Sequence, residues 1–261
     1  MARFGCICAL LFLGGAIFVR CQTWSTIRPG LEVMADGVLT EKGRSIKFVL
    51  LRCDPKLRQV RIVDTYHEVG SKLSYPAFSL AEVTSLTGAV VTLSAGDSSS
   101  YVLPDPVGLL QSARKVLAKP NYRAENAGFL CLSPGAATLA PLNQWKAASC
   151  VDAVQRGPFF TSSFRSTTDS HTDQSERGIV ALDAKGRLVI MITEGPVTIS
   201  TAATYLFSSK AGLEIRSALN LVGSRTCGLL VTNSPGKSKQ SESALAVGNV
   251  DGLVASAIAI Y

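Results

Sequence analysis

Residues 177–193 read Arg-Gly-Ile-Val-Ala-Leu-Asp-Ala-Lys-Gly-Arg-Leu-Val-Ile-Met-Ile-Thr. Two apolar runs, Arg177–Leu182 and Arg187–Thr193, flank Asp183-Ala-Lys-Gly186, and that turn chemistry between such runs predicts a β-hairpin. Upstream, Ile46–Arg52 and Gln59–Val63 alternate polar and apolar residues around the turn Cys53-Asp-Pro-Lys56, a second hairpin signal. Phe78–Leu86 has helical spacing, with Ser79 placed to cap it ahead of Glu82, and a strand follows at Ala89–Leu93. The stretch 109–117 fits either a helix or a strand pair, and Trp145–Val154 fits one or two helical turns ended by Gly157-Pro158. Downstream, Ser200–Ser209 carries the apolar spacing of an amphipathic helix, and Arg216–Leu221, Gly228–Thr232 and Val254–Ile260 read as strands.

Two stretches, Ser163–Glu176 and Asn233–Ser243, are polar and aperiodic and read as loops. There is no internal repeat and no linker. The expected product is a single α+β domain with a mixed, largely antiparallel sheet and helices packed on its faces. With 261 residues, 47% of them hydrophobic and 17% charged, the chain has enough apolar surface for a full core, which excludes wholesale disorder.

Arg3, an apolar run from Cys6 to Val19 and the break at Arg20 read as a signal peptide over residues 1–21, followed by a domain over 22–261. The run is shorter than the roughly 20 residues needed to span a bilayer, so no transmembrane segment is expected in the mature chain. The expected location is secreted or periplasmic. The formal charge of +7 falls by two when Arg3 and Arg20 leave with the leader. A modest positive balance favours anionic partners, and scattered Lys and Arg without interleaved aromatics exclude a nucleic-acid surface. Cys53, Cys131, Cys150 and Cys227 remain, an even set compatible with disulfides in an oxidising compartment. Cys131 and Cys150 close the shortest loop and are the preferred pair. Three connectivities are open to four cysteines, and buried free thiols are the other reading.

Arg177 begins an apolar strand just after a polar loop, where a guanidinium fork can meet a phosphate or carboxylate with two parallel hydrogen bonds. An ion pair with Glu176 or Asp173 is the structural alternative. Glu194 follows the strand Ile190–Thr193, a position from which a carboxylate can serve as general acid or base, or simply be a solvated turn residue. Asp169, His171 and Asp173 make a weak cation pattern, and no metal site is expected from it. His67 reads as structural. No pattern identifies a cofactor. Gly223-Ser224 after Leu219-Asn220-Leu221 is a strand running into a glycine turn that can offer N–H groups to an anion.

Taken in order, Ser94-Ala-Gly96, Gln155-Arg-Gly157-Pro158, Arg177-Gly-Ile-Val, Glu194-Gly-Pro-Val and Ala218-Leu-Asn220-Leu-Val222-Gly223-Ser224 resemble the phosphodiester glycosidase (uncovering-enzyme-like) family, in its bacterial secreted branch. The resemblance runs from Trp24 to about Val231. It implies an α+β fold with these loops around one sugar-phosphate cleft, Glu194 as the catalytic acid/base, and substrate contacts from Arg177, Gln155, Gly157, Ser94, Gly96, Asn220, Gly223 and Ser224. Two positions depart from the family pattern: Ser94 stands for an Asn and Val222 for the Asp of Leu-Asp-Gly. A valine cannot activate water or stabilise an oxocarbenium-like transition state. Two functions from different classes follow: a secreted phosphodiester glycosidase acting on a sugar phosphate or envelope glycan, or a catalytically impaired glycan- or phosphate-binding protein on the same scaffold. A purely structural envelope protein has no positive signal.

Overall fold

The computed structural model describes residues 23–65, 78–96, 106–122, 127–163, 173–208, 211–223, 226–232 and 243–261. The signal-peptide segment 1–21, His67, Asp169, His171, Ser224 and most of the two polar loops lie outside the described residues. Strands are numbered along the chain. A seven-stranded sheet runs in the order β1 (Ser25–Arg28), β2 (Leu31–Glu41), β3 (Arg44–Cys53), β14 (Leu188–Thr193), β13 (Gly178–Asp183), β15 (Ile215–Val222) and β12 (Phe159–Thr161). The expected hairpin forms, with Gly178 opposite Ile192 and Leu182 opposite Leu188. Asp183 closes its turn: Oδ1 accepts the N–H groups of Lys185 and Arg187, each at 2.9 Å, and Oδ2 meets Arg187 Nε at 2.7 Å.

Two five-stranded sheets cover one face of this sheet. The first runs β10 (Ala136–Pro141), β9 (Gly128–Ser133), β11 (Asp152–Arg156), β7 (Leu110–Ser112), β8 (Lys115–Ala118). The second runs β17 (Ser243–Gly248), β16 (Gly228–Thr232), β6 (Val91–Ala95), β19 (Ser256–Ile260), β4 (Val60–Asp64), while β18 (Leu253–Val254) pairs with β5 (Phe78–Ser79). The largest apolar cluster joins all three sheets, with Leu51, Val180 and Leu219 meeting Leu130 and Val154 from the first and Leu93, Leu229 and Ile258 from the second. Each fully buried Leu or Ile there contributes roughly 1.5–3 kcal/mol. The opposite face of the large sheet is also dry, because Phe48, Leu50, Ile179 and Met191 alternate with the inward residues and form a second cluster.

The expectation of an α+β fold, one mixed sheet faced by helices, is overturned. The protein is mostly β, its paired strands are antiparallel, and the main core is closed by sheet against sheet. Among the described residues the α-helices are two of eight residues each, α1 (Leu80–Thr87) and α2 (Ile199–Leu206). The Ser79 capping box holds α1 as the sequence suggested, with Glu82 returning the hydrogen bond. For α2 the cap is Thr198, and the buried Glu41 carboxylate accepts both the N–H and the hydroxyl of that threonine at 3.1 Å.

The sheets settle one local reading left open and change two others. The stretch 109–117 resolves into the β7–β8 pair, whose turn places Ala113 and Arg114 at φ 47° and 69°. Those left-handed values on residues other than glycine hid the turn, and Asp152 supports it by accepting the Ala113 N–H at 2.7 Å. Trp145–Val154 is a single 3-10 turn at Ala147–Ser149 leading into β11. The run around Cys53-Asp-Pro-Lys56 is not a hairpin: β3 pairs with β2 and β14, β4 pairs with β19, and the turn carries the chain from one sheet to another. The preferred disulfide, Cys131–Cys150, is formed, tying β9 to the 3-10 segment, while Cys53 and Cys227 are buried thiols.

Candidate functional site

Strand pairing collects the family-like segments at one pole. Gly178 opposes Val222, Ala95 opposes Ser256, and Arg156 opposes Gly128, so the residues just beyond these strand ends are neighbours. Arg177 precedes β13, Gly223 follows β15, Gly96 follows β6, and Gly157 follows β11. A bulge in β15 leaves one extra residue between the partners of Gly178 and Ile179, and Leu221 and Val222 both join the inner core.

Arg177 is 5% exposed. Its backbone N–H donates to Thr193 Oγ1 at 2.9 Å, its Nε to the Val197 carbonyl at 3.2 Å and its Nη2 to the Asp173 carbonyl at 2.5 Å. Those acceptors are neutral, so the fork is held in place without a carboxylate in hydrogen-bond contact among the described residues. Burial pushes its pKa below the ordinary arginine value; the nearby Asp173 charge opposes that shift, and the Arg156 charge adds to it. Gly223 lies against the guanidinium: a Cβ there would stand 2.5 Å from Nη1, so any side chain at this position would push the guanidinium aside. Arg156 was not singled out as a site residue, although it sits inside the Gln155-Arg-Gly157-Pro158 run. The signal that could have found it is a second cation beside a glycine turn at the end of a strand.

Three expected substrate contacts have their side chains engaged within the fold. Gln155, 4% exposed, accepts the N–H groups of Leu109 and Asn121 at 3.0 and 2.9 Å through Oε1 and donates to the Asn121 carbonyl at 2.8 Å. Asn220 donates to the Gly157 carbonyl at 3.1 Å and fixes the turn after β11, while its buried Oδ1 has no hydrogen-bond partner among the described residues. Ser94 accepts the Gly228 N–H at 3.0 Å and joins β6 to β16. Gly96, at φ 75°, ends β6 against Val154 and Ser256, and a recess of about 10 Å³, room for about one water, opens between Ser94–Gly96, Thr226 and Leu253–Ala255.

Glu194 is exposed, one residue beyond the Thr193 that anchors Arg177, and its backbone N–H donates to the Lys47 carbonyl at 2.8 Å. Val222 is 2% exposed and packs with Cys227 and Ile192 around Gly178. Burial and the Glu176 charge push the Cys227 thiol up to about 12, partly opposed by Arg177, so it stays protonated at neutral pH. Among the described residues no three His, Cys, Asp or Glu side chains gather as metal ligands would. The pole therefore offers two guanidinium groups and glycine turns, an environment for an anion, with an apolar valine where the family-like motif leads to an acid.

Fold and pole together define an antiparallel β protein with a buried arginine and glycine turns gathered at one end. The chain belongs to the phosphodiester glycosidase family, whose model matches residues 85–254. Its fold is similar to that of the catalytic domain of zebrafish N-acetylglucosamine-1-phosphodiester alpha-N-acetylglucosaminidase, auto-inhibited by its pro-peptide, at 13% identity and a TM-score of 0.67 over 90% of this chain and 84% of that one. It is also similar to a hypothetical protein from Synechocystis (11% identity, TM-score 0.60, 89% of this chain and 62% of that one) and to a candidate exported protein from Burkholderia pseudomallei (10%, 0.55, 83% and 74%). No curated protein matches the sequence. No helix among the described residues is long and apolar enough to cross a membrane, which says nothing of β-barrels.

Proposed function

We propose that the protein is exported and binds a sugar phosphate or phosphate-bearing glycan on a phosphodiester-glycosidase scaffold whose hydrolytic step is impaired. The observation that carries this reading is a buried cation beside a missing acid. Arg177 is oriented by neutral carbonyls and retains its charge, while Val222, one residue from the glycine turn that touches the guanidinium, is packed in the core. An anion at that turn relieves the cost of a buried guanidinium that has no carboxylate in hydrogen-bond contact among the described residues, and gains charge-assisted hydrogen bonds. Hydrolysis of a glycosidic bond needs a carboxylate at the reacting carbon, and a core valine supplies none. Export is supported by the apolar leader, by the disulfide and by the likeness to a candidate exported protein.

The second reading is an active hydrolase with Glu194 as acid/base, favoured by its place next to the threonine that anchors Arg177. Glu194 is exposed, so that role requires bound substrate to shield the carboxylate from water. Incubating the purified mature protein with a panel of sugar-1-phosphodiesters, N-acetylglucosamine included, separates the two. Binding without sugar release above the uncatalysed rate is expected. Turnover of about 1 s⁻¹ or faster, within the ordinary enzyme range, that disappears in Glu194→Gln establishes the hydrolase instead.

A further inference from the structure

The guanidinium at the pole has a buried counter-charge that it does not touch. Arg177 is 5% exposed and Glu41, the last residue of β2, is 7% exposed, and no direct ion pair joins them among the described residues. They meet instead across one peptide unit. The Val197 carbonyl accepts Arg177 Nε at 3.2 Å, and the N–H on the other side of the same peptide, that of Thr198, donates to Glu41 Oε2 at 3.1 Å. In a trans peptide the C=O and N–H point to opposite sides, so cation, peptide dipole and carboxylate stand in a row in which each polarises the next favourably.

Glu41 grips the second acceptor of the guanidinium as well. Arg177 Nη2 donates to the Asp173 carbonyl, and the side chain of the next residue, Gln174, hydrogen-bonds the Glu41 carboxylate. A bridge ties the two segments together: Val197 N–H donates to the Ser175 carbonyl at 2.9 Å, and Ser175 N–H to the Val197 carbonyl at 3.3 Å. The Thr198 hydroxyl adds a contact to Glu41 Oε2 at 3.1 Å, and the Thr201 side chain adds another. All of these partners present hydrogens, which an ionised carboxylate accepts at both oxygens and a glutamine amide does not, because its NH2 would face a donor. With Nε and Nη2 fixed in this way, Nη1 is left facing the Gly223 turn, where a Cβ would stand 2.5 Å from it.

We infer that Glu41 is a positioning residue for the anion site, aiming Nη1 of Arg177 at the ligand's phosphate through the Val197–Thr198 peptide and through Gln174. The inference rests on the reading that Arg177 holds that phosphate, and the test separates the two. Its ligand-free readout is the ¹⁵Nε–Hε NMR signal of Arg177, assigned by its loss in Arg177→Lys. In Glu41→Gln the signal shifts and exchanges faster with water. Gln174→Ala, which cuts one link and leaves the carboxylate in place, moves it the same way and carries the test if Glu41→Gln does not hold its fold. An unmoved signal in a variant with a native amide spectrum overturns the inference. The binding readout is isothermal titration with N-acetylglucosamine-1-phosphate methyl ester. Glu41→Gln weakens binding about fivefold or more, the lower end of ordinary coupling between sites. In the Arg177→Lys background, where no Nε–H remains to be held, the same substitution changes affinity by less than about twofold. An equal loss in both backgrounds makes the role of Glu41 a general structural one and overturns the inference. No binding by wild type, with the Nε signal still responding to Glu41→Gln, supports the link from Glu41 to Arg177 and refutes the reading of that arginine as the phosphate holder.

Discussion

Val222→Asp is the substitution that the family-like motif suggests and the packing resists. The valine is 2% exposed, and its Cβ lies 3.5 Å from the Cβ position of Gly178, next to the Cys227 sulfur and the Ile192 methyl. Losing its apolar burial costs about 1.5 kcal/mol. An acid in this setting has its pKa raised by desolvation, and a rise of two to three units adds about 3–4 kcal/mol at pH 7. The total is about 4.5–5.5 kcal/mol, reduced to the extent that the new carboxylate reaches Arg177 across Gly223. The sign of the pH dependence follows from the raised pKa. The charge penalty is full above the folded pKa, shrinks as pH falls from there to the unfolded value of about 3.9 and is gone below it, so the variant recovers this part of its deficit in acid. Urea unfolding of wild type, Val222→Asp and the neutral control Val222→Asn at pH 7 and pH 4 measures this. A loss under about 1 kcal/mol at pH 7, with no pH dependence beyond that of Val222→Asn, refutes the placement of this side chain in the core. If the variant folds and the carboxylate pairs with Arg177, sugar-1-phosphodiester hydrolysis rises above wild type, because the missing acid is restored beside the anion site.

Three further outcomes follow from the fold. Replacing both Cys131 and Cys150 by serine opens a loop of 19-residue separation and costs about 3 kcal/mol in urea unfolding, with wild type in reductant shifted by a similar amount. Burial alone would raise the Glu41 carboxyl, but hydrogen bonds from Thr201, Thr198 and Gln174 outweigh it and hold the pKa below the usual glutamate value. Its stabilisation is therefore present above about pH 4.3 and lost as pH falls through the folded pKa, so Glu41→Gln is less stable by about 1–2 kcal/mol at pH 7 and converges with wild type in acid. Gln155→Ala leaves the N–H groups of Leu109 and Asn121 without their acceptor and lowers stability by about 2–3 kcal/mol, while a purely ligand-binding glutamine would leave the urea midpoint in place.

The hairpin at 177–193, the Ser79 cap and the Cys131–Cys150 pair were legible because each is a local signal: turn residues, a hydroxyl three residues before a glutamate, a short loop. The mostly β architecture was not. Strands such as Lys115–Ala118 and Ala136–Pro141 are short and carry few branched residues, so their periodicity is faint. The β7–β8 turn is built from Ala113 and Arg114 in left-handed conformations that sequence reserves for glycine. The crossover at Asp54 looked like a hairpin turn because the same Asp-Pro chemistry serves both, and the choice between pairing with a neighbour and pairing with β19, nearly two hundred residues away, is made by the core. At the site, the motifs read in order lie at one pole of the fold, but single residues could not be assigned roles. Gln155, Ser94 and Asn220 carry polar side chains that the fold itself uses, which only their hydrogen-bond partners reveal.

The central claim is that Arg177 holds the anionic group of a sugar phosphate. Isothermal titration of the purified mature protein with N-acetylglucosamine-1-phosphate methyl ester, in wild type and in Arg177→Lys, tests it most directly. Lysine keeps the charge and loses the planar fork, so saturable binding weakened about tenfold or more in Arg177→Lys, with folding retained, is the predicted result. Equal affinity in the two proteins, or no binding to wild type while the fold is intact, contradicts the assignment.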